Sequence, residues 1–585
     1  MSQRARTVLR IGLFIFLFLL LNTLIGVYFW LPARSVRALL VPVPEAAMAA
    51  ALVALYAGVL RRSSRLISLT LGFMLAVVFS FAVGEAFFQF VYREHFSMWR
   101  NLRFIPAFLQ MVSGSAVLAR PEVVVAVAAL LLGLLATVFG TLVHGLSRVF
   151  AAGGRPAAVA VAGVLLLSGV VTAGAALPSR PAGLMLAAQL ARGPGAAAAA
   201  GDGEAATGVR RPGAADPARQ PPEQPSPDQP PADPAPGESA PDYAFPALQD
   251  EDVRLFIIES YGHTLFTRDD HYELIAPVYD RLGEELEATG FSTYSHFMKS
   301  PAFGGRSWLA DATIVTGRWI GDQATYDTMW DNTDRTLVQI MEEAGYHTVL
   351  AAPGMTFLEE GFRELFPYDD IYLQGQLGYE GRRYSFGGGI TDQFLLDRVR
   401  QFRREWEERG DGVLGPADRA VVSLPASGEP AGAPFFGVYV MVSSHVPFNV
   451  LPPFIEDWNR IGDGSIYNEL PRRIFDNDWL RGGEYPEGYT ASIEYSLRTV
   501  IDFLLTYVDD DSLAVVIGDH QPRIPIAERS STFSVPIHVI SRNAELVRRF
   551  AAYDFSEGLE PSQPLPHPGM DELQGMLLEA AAGGG

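Results

Sequence analysis

The chain has no cysteine and a single lysine, Lys299. The first absence excludes disulfides, thiolate metal sites and a cysteine nucleophile. The second leaves a Schiff-base mechanism one lysine, with no supporting context. Acidic side chains are scarce at the front. The first 180 residues hold Glu45, Glu85, Glu94 and Glu122 against 15 arginines, a formal +11, which leaves −32 on the rest of a chain whose total is −21. A basic front rich in Leu, Ala, Val and Phe reads as membrane, and an acidic back reads as a soluble domain. The acidic balance argues against nucleic acid as a partner. At 585 residues more than one domain is expected.

Five apolar stretches, near 9–31, 38–60, 66–91, 122–146 and 157–178, reach the length of about 20 residues that a bilayer-crossing helix needs. The first follows Arg4, Arg6 and Arg10, lacks a small-residue cleavage site and is followed by further spans, so it reads as an uncleaved anchor. With the N-terminus inside, eight arginines fall in cytoplasmic segments and six in outer loops. That bias favours N-in, and five crossings then leave everything after residue 180 outside the membrane. The segment near 93–112 mixes Arg93, Arg100 and Arg103 with Phe96, Trp99, Phe104 and Phe108. It reads either as an interfacial amphipathic helix or as a basic loop with belt aromatics. Glu85 falls inside the third span and is expected near the interface.

Residues 181–248 are rich in Pro, Ala and Gly and form a predicted disordered linker. From 249 to 545, short apolar runs alternate with helical patterns. Predicted strands are 253–258, 347–351, 435–442, 513–517 and 536–540; predicted helices are 272–289, 335–345, 390–408 and 489–507. Nearly continuous apolar strands imply burial on both faces, hence an α/β domain with a mainly parallel central sheet. Residues 546–585 read as a C-terminal extension.

Polar groups collect where strands end. Val253–Ile258 stops at Glu259-Ser260, and Leu513–Ile517 stops at Gly518-Asp519-His520. Between them lie the turn Gly304-Gly305-Arg306-Ser307 and the segment Ser443-Ser444-His445-Val446-Pro447-Phe448. Open α/β sheets place ligands at the carboxyl edge of their strands. Glu, Asp and His together make a mixed oxygen and nitrogen site for one divalent cation. A Ser hydroxyl on that cation loses its proton more readily and becomes a nucleophile without a neighbouring base. Ser307 precedes a helical run, Trp308 to Val315, so it sits near a helix N-terminus suited to a phosphate or sulfate.

In this order, strand-Glu-Ser, Gly-Gly-Arg-Ser-x-x-x-Asp, Ser-Ser-His-x-Pro-Phe and Gly-Asp-His, behind five membrane spans, resemble the lipoteichoic acid synthase and phosphoglycerol transferase branch of the sulfatase/alkaline phosphatase superfamily. The resemblance implies a sulfatase-like α/β fold behind a five-helix transmembrane domain, in the cell membrane with the catalytic domain extracytoplasmic or periplasmic. It implies Glu259, Ser307, Asp519 and His520 as ligands of one Mn²⁺ or Mg²⁺, with Ser307 in the place of the family's usual Thr nucleophile. His445 matches a substrate-pocket histidine. Phe386-Gly387 stands where the family has Trp-Gly, a departure at the headgroup pocket, and Arg306 is expected to hold substrate phosphate. The expected activity is transfer of a phosphoglycerol-type headgroup from a phospholipid to a glycan or glycolipid through a covalent Ser intermediate. The alternatives are phosphoethanolamine transfer, sulfuric or phosphoric ester hydrolysis, and a non-catalytic sensor. Formylglycine sulfatase chemistry has the wrong motif, because Cys is absent and Ser300-Pro301-Ala302 has the wrong spacing.

Each residue also has a plainer reading. Asp519-His520 would be a strand-capping turn, Glu259 an ion-pair partner of an arginine, Ser307 an N-cap with Ser295 and Ser300 as rival hydroxyls, and His445 a satisfied core-edge histidine. Arg306 would bind a surface carboxylate. Asp311, one turn beyond Ser307, reads either as a residue that orients the site or as one on a solvated helix face, the latter expected. His263 reads either as reaching a substrate or, as expected, as a loop residue.

Overall fold

The computed structural model describes residues 3–25, 43–60, 63–91, 96, 98, 121–153, 161–164, 186, 245–248, 251–331, 334–359, 361–384, 389–409, 433–476, 485–508, 511–528 and 530–582. The front part forms four helices, α1 (Gln3–Ile25), α2 (Pro44–Leu60), α3 (Arg65–Val91) and α4 (Pro121–Gly153). They share a core of Leu21, Ala46, Ala50, Ala54, Ala57, Phe139 and Leu146. A Cβ on Gly72 of α3 would lie 2.3 Å from the backbone nitrogen of Gly140 on α4, so small residues set this close crossing. Leu9, Phe16, Leu66, Met74, Leu130 and Leu134 point outward. Apolar side chains on the outside as well as the inside suit a lipid surround.

Two segments, Arg65–Ala86 with 22 residues and Val125–Ala151 with 27, are long and apolar enough to cross a membrane; Val8–Leu24 and Glu45–Ala57 are shorter. Five spans are therefore not established among the described residues. The fifth expected span is described only at 161–164, the interfacial segment only at 96 and 98, and the linker only at 186 and 245–248. Glu85 is fully buried and accepts a hydrogen bond from the Phe96 backbone N–H at 2.8 Å, so its cost of burial is offset locally.

The remaining elements form one α/β domain. Its strands are β1 (Val253–Ile258), β2 (Ser292–Lys299), β3 (His347–Ala352), β4 (Asp370–Leu373), β5 (Phe435–Met441), β6 (Leu513–Gly518), β7 (Ser534–Ser541) and β8 (Ser556–Glu557). They form an eight-stranded sheet in the order β8-β2-β7-β6-β1-β5-β3-β4. The pairs β6-β1, β1-β5, β5-β3 and β3-β4 are parallel. The pairs β7-β6, β2-β7 and β8-β2 are antiparallel, so the parallel character holds over the centre and one edge. Phe256 and Ile258 of β1 face a core with α5 (Asp269–Ala288), α8 (Asp392–Arg409) and α9 (Tyr485–Tyr507); Leu255 and Ile257 face a second core with α6 (Ser307–Thr316), α7 (Leu337–Glu343) and α10 (Leu573–Ala582). Helices on both sides explain why the parallel strands are apolar at most positions, with Arg254, His347, Thr348 and Asp370 as exceptions.

The expected strands are present with ends within two residues of those expected, 435–442 stopping one residue early at Met441, while β2, β4 and β8 are additions. β2 reads poorly as a strand because Ser295 and His296 are polar yet buried. Ser295 Oγ lies 2.8 Å from His538 Nδ1, and His538 Nε2 lies 2.8 Å from the Tyr261 hydroxyl. The segment from 546 supplies β8 at the sheet edge and α10, whose Leu573, Met576 and Leu577 pack into the second core. Ala247 N–H bonds to Ala581 O at 3.1 Å, tying the start of the domain to its end.

Two measurements follow from this packing. A Cβ on Gly518 would lie 2.0 Å from the Tyr261 carbonyl oxygen, a backbone atom that cannot swing away. Gly518→Ala is expected to lose about 1–3 kcal/mol of stability in denaturant titration. Burial holds His538 down at about 3, against its ordinary 6.5. As pH falls below 6.5 the unfolded chain takes up a proton that the folded one refuses. Stability is therefore full above pH 6.5 and declines toward pH 3 by about 1.4 kcal/mol per pH unit from this group. His263 and His271, each lowered to about 4 by burial, add to the same decline. Unfolding midpoints at a series of pH values check it, and a His538→Gln variant should flatten the slope.

Candidate functional site

Adjacent parallel strands β1 and β6 pair in register, with Ile258 opposite Gly518. The next residue on each, Glu259 and Asp519, therefore emerges at the same carboxyl edge. Asp519 N–H bonds to Ile258 O at 3.2 Å and Glu259 N–H to Met441 O at 3.3 Å, which carries the ladders one residue further. The chain then turns sharply at Ser260, a non-glycine residue at φ 59°. Asp519 Oδ1 accepts from Ser260 N–H at 2.7 Å, and the buried Tyr489 hydroxyl donates to Ser260 O at 2.8 Å. These bonds hold a backbone conformation that costs about 1–3 kcal/mol when unsupported.

Ser307 arrives from a different element. Gly304 and Gly305 have φ of 70° and 139° and Arg306 has φ of 68°, a left-handed run that turns the chain into α6. Gly304 N–H bonds to Gln521 O at 2.9 Å, docking this turn on the residue after His520. Ser307, half-buried in the first turn of the helix, donates from Oγ to Glu259 Oε2 at 2.9 Å and stands 3.3 Å from His520 Nε2. His520 Nε2 also lies 3.3 Å from Glu259 Oε1 and 3.4 Å from Asp519 Oδ2. Glu259, Asp519 and His520 are buried, and one ligand atom from each falls within 4.8 Å of the others. His520 Nδ1 is 2.8 Å from Gln521 O, a bond an Nδ1–H can donate, and Nε2 is the ring atom that faces the carboxylates.

The electrostatics are those of an acid cluster short of positive charge. Burial raises Asp519 well above the usual carboxylate range, and Glu259 adds to the rise. Burial opposes ionisation of Glu259 too, but His445 and His520 hold it well below that range. Burial disfavours charge on His520, yet Asp519 and Glu259 outweigh it and push the imidazole up to about 9. Two carboxylates and an imidazole whose Nε2 faces them are a donor set that fits one divalent cation, which would take the place of the Nε2 proton.

Of the other expected residues, His445 is half-buried, with Nδ1 at 2.9 Å from Val446 O, and its charge reaches Glu259. Arg306 is half-buried and directly precedes Ser307. Phe386 and Gly387 lie outside the described residues. His263 is turned away, its ring centroid 4.5 Å from that of Phe297 and its Nδ1 3.3 Å from Thr532 Oγ1. The rival hydroxyls are engaged: Ser300 Oγ donates to Asp519 O at 2.6 Å and Ser295 Oγ to Gly558 O at 2.6 Å. Ser444, in a segment singled out for His445, supports the cluster by donating to Glu259 O at 2.6 Å.

Asp311 overturns its expectation. It is half-buried on the side of α6 that carries half-buried Ser307 and exposed Trp308, while Leu309, Ala310, Ala312, Thr313, Ile314 and Val315 are in the core. Its Oδ1 is buried without a hydrogen-bond partner among the described residues. Burial, with the charge of Glu259, pushes the Asp311 carboxyl up to about 8. The four-residue spacing from Ser307 was the available signal, since it puts both on one helix face.

No family model matches the chain, and no curated protein does. Among solved structures it is similar to the lipoteichoic acid synthase LtaP from Listeria monocytogenes, at 15% identity and TM-score 0.37, covering 58% of this chain and 74% of that one. It is similar to the C-terminal periplasmic domain of EptC from Escherichia coli, at 13% identity and TM-score 0.34, covering 57% and 82%. A third is the Streptococcus pyogenes phosphoglycerol transferase GacH in complex with sn-glycerol-1-phosphate, at 11% identity and TM-score 0.31, covering 57% and 85%. The overlays are loose.

Proposed function

We propose that this chain is a membrane-anchored, metal-dependent transferase that moves a phosphoglycerol-type headgroup from a phospholipid to a glycan or glycolipid, with Ser307 as the nucleophile. The observation that carries the reading is the Ser307 hydroxyl at 2.9 Å from Glu259 and 3.3 Å from His520, on the rim of a buried Glu-Asp-His cluster. Glu259, Asp519, His520 and Ser307 would hold one divalent cation, Mn²⁺ or Mg²⁺. When bound, such a cation supplies a lowered hydroxyl pKa and offsets charge on phosphoryl oxygens.

The proposed chemistry uses two displacements. The Ser307 Oγ–P bond forms as the P–O bond to diacylglycerol breaks, and the alcohol leaves with the proton that Ser307 gave up. An acceptor hydroxyl then forms its own O–P bond as the Ser307 O–P bond breaks, and its proton returns to Ser307. Ser307 lies in the first turn of α6, and the N-terminus of a ten-residue helix favours phosphoryl charge. Arg306 and His445 are the proposed contacts to the phosphodiester, and Phe386 the proposed contact to the headgroup. A lipid donor gives a reason for apolar helices in the same chain. Five crossings with the N-terminus inside would put the catalytic domain on the extracytoplasmic or periplasmic side, and residues 181–248 would be its tether.

Intact-mass analysis after incubation with phosphatidylglycerol and Mn²⁺ tests this. A phosphoglycerol adduct is expected on the wild type, and none on Ser307→Ala. Release of diacylglycerol by that variant should fall by about three orders of magnitude or more. Ser307→Thr keeps the hydroxyl and should keep the adduct. An adduct seen only from phosphatidylethanolamine would assign the other headgroup. Undiminished diacylglycerol release by Ser307→Ala would overturn the nucleophile.

A further inference from the structure

We propose that Asp311 is a positioning residue for the metal centre: an outer carboxylate whose charge strengthens the hold of Glu259, Asp519 and His520 on a divalent cation without contacting it. The inference rests on the metal reading above and adds a residue to it. Three observations carry it. Asp311 follows Ser307 by four residues on α6, so it shares the helix face that brings the Ser307 hydroxyl to Glu259. Its Oδ1 is buried, with no hydrogen-bond partner among the described residues. The charges that act on it are those of Glu259 and His520, two members of the cluster, and its own charge reaches Asp519.

A structural role explains these facts poorly. A carboxyl retained for folding is paired, as Asp392 is, accepting from the Val442 and Ser443 backbone N–H groups at 2.9 Å and from Ser496 Oγ at 2.6 Å. Asp311 has no such partners, and an unpaired buried oxygen lowers stability. The cost is recovered if a cation enters the pocket, since its charge favours the ionised form of a carboxyl that burial otherwise keeps protonated. Asp311 is not in the group whose ligand atoms lie within 4.8 Å of one another, which makes it an outer group and not a fourth ligand. Carboxylates behind the inner ligands commonly change metal affinity by about 10–100-fold.

The test is Mn²⁺ binding to the full-length protein in detergent, by calorimetry, together with the melting temperature of the metal-free protein. Asp311→Asn keeps the shape and removes the charge. It is expected to weaken Mn²⁺ binding by about 10–100-fold, with the metal-free melting temperature unchanged or higher. Asp311→Glu restores the charge and should recover at least part of the affinity. Asp519→Asn serves as the control and should abolish binding. Wild-type affinity in Asp311→Asn overturns the inference and leaves the metal reading intact. So does a lower metal-free melting temperature with affinity unchanged, which would make Asp311 structural. Failure of the wild type to bind Mn²⁺ overturns the metal reading and this inference together.

Discussion

The in-register pairing of β1 with β6 is the constraint on which the site depends. It sets Ile258 opposite Gly518, so that Glu259 and Asp519 leave the sheet side by side. Two carboxylates brought that close inside a protein repel each other and lose their water. The sheet enforces the meeting because its own energy lies elsewhere, in the apolar residues that β1 and β6 bury on both faces. Gly518 belongs to the same constraint, since any side chain there would strike the Tyr261 carbonyl and part the two strand ends.

Around this pair the fold spends polar groups on geometry. Asp519 Oδ1 accepts two backbone N–H bonds, from Ser260 at 2.7 Å and from His520 at 2.5 Å. Ser444 fixes the Glu259 carbonyl, Ser300 fixes that of Asp519, and Tyr489 fixes that of Ser260. These bonds hold the backbone and leave Asp519 Oδ2 and the Nε2 of His520 facing Glu259, whose Oε1 accepts from Ser260 Oγ and whose Oε2 accepts from Ser307 Oγ, each at 2.9 Å. A cluster built for stability alone would replace the acids with apolar residues of similar volume.

The sequence made the parallel centre of the sheet legible because strands buried on both faces are nearly continuous apolar runs, and that signal needs no tertiary information. Glu259 and Asp519-His520 were legible for the same reason, as the first polar residues after such runs. β2 was not, because Ser295 and His296 look like loop residues until His538 on β7 is known to lie beside Ser295. Asp311 was misjudged because an acid in a helix is usually solvated, and only the packing shows that its Oδ1 is buried although the residue is half-buried. The same limit applied at the C-terminal end, where β8 and α10 look peripheral until they are seen completing the sheet edge and the second core.

The gradient of exposure across the site carries its own argument. Asp519 and His520 are each 1% exposed and Glu259 7%, while Ser307 is half-buried. A cluster that served only to hold an ion would close over all its donors. Here the one hydroxyl in the group is also the member most open to solvent, and it is delivered by a helix start while the acids come from strand ends. Delivery from a separate element lets Ser307 meet a bulky substrate without exposing the carboxylates to water, which would weaken their hold on any cation. Burial of the acids and access to the hydroxyl are opposed requirements, and the junction of sheet edge with the first turn of α6 meets both.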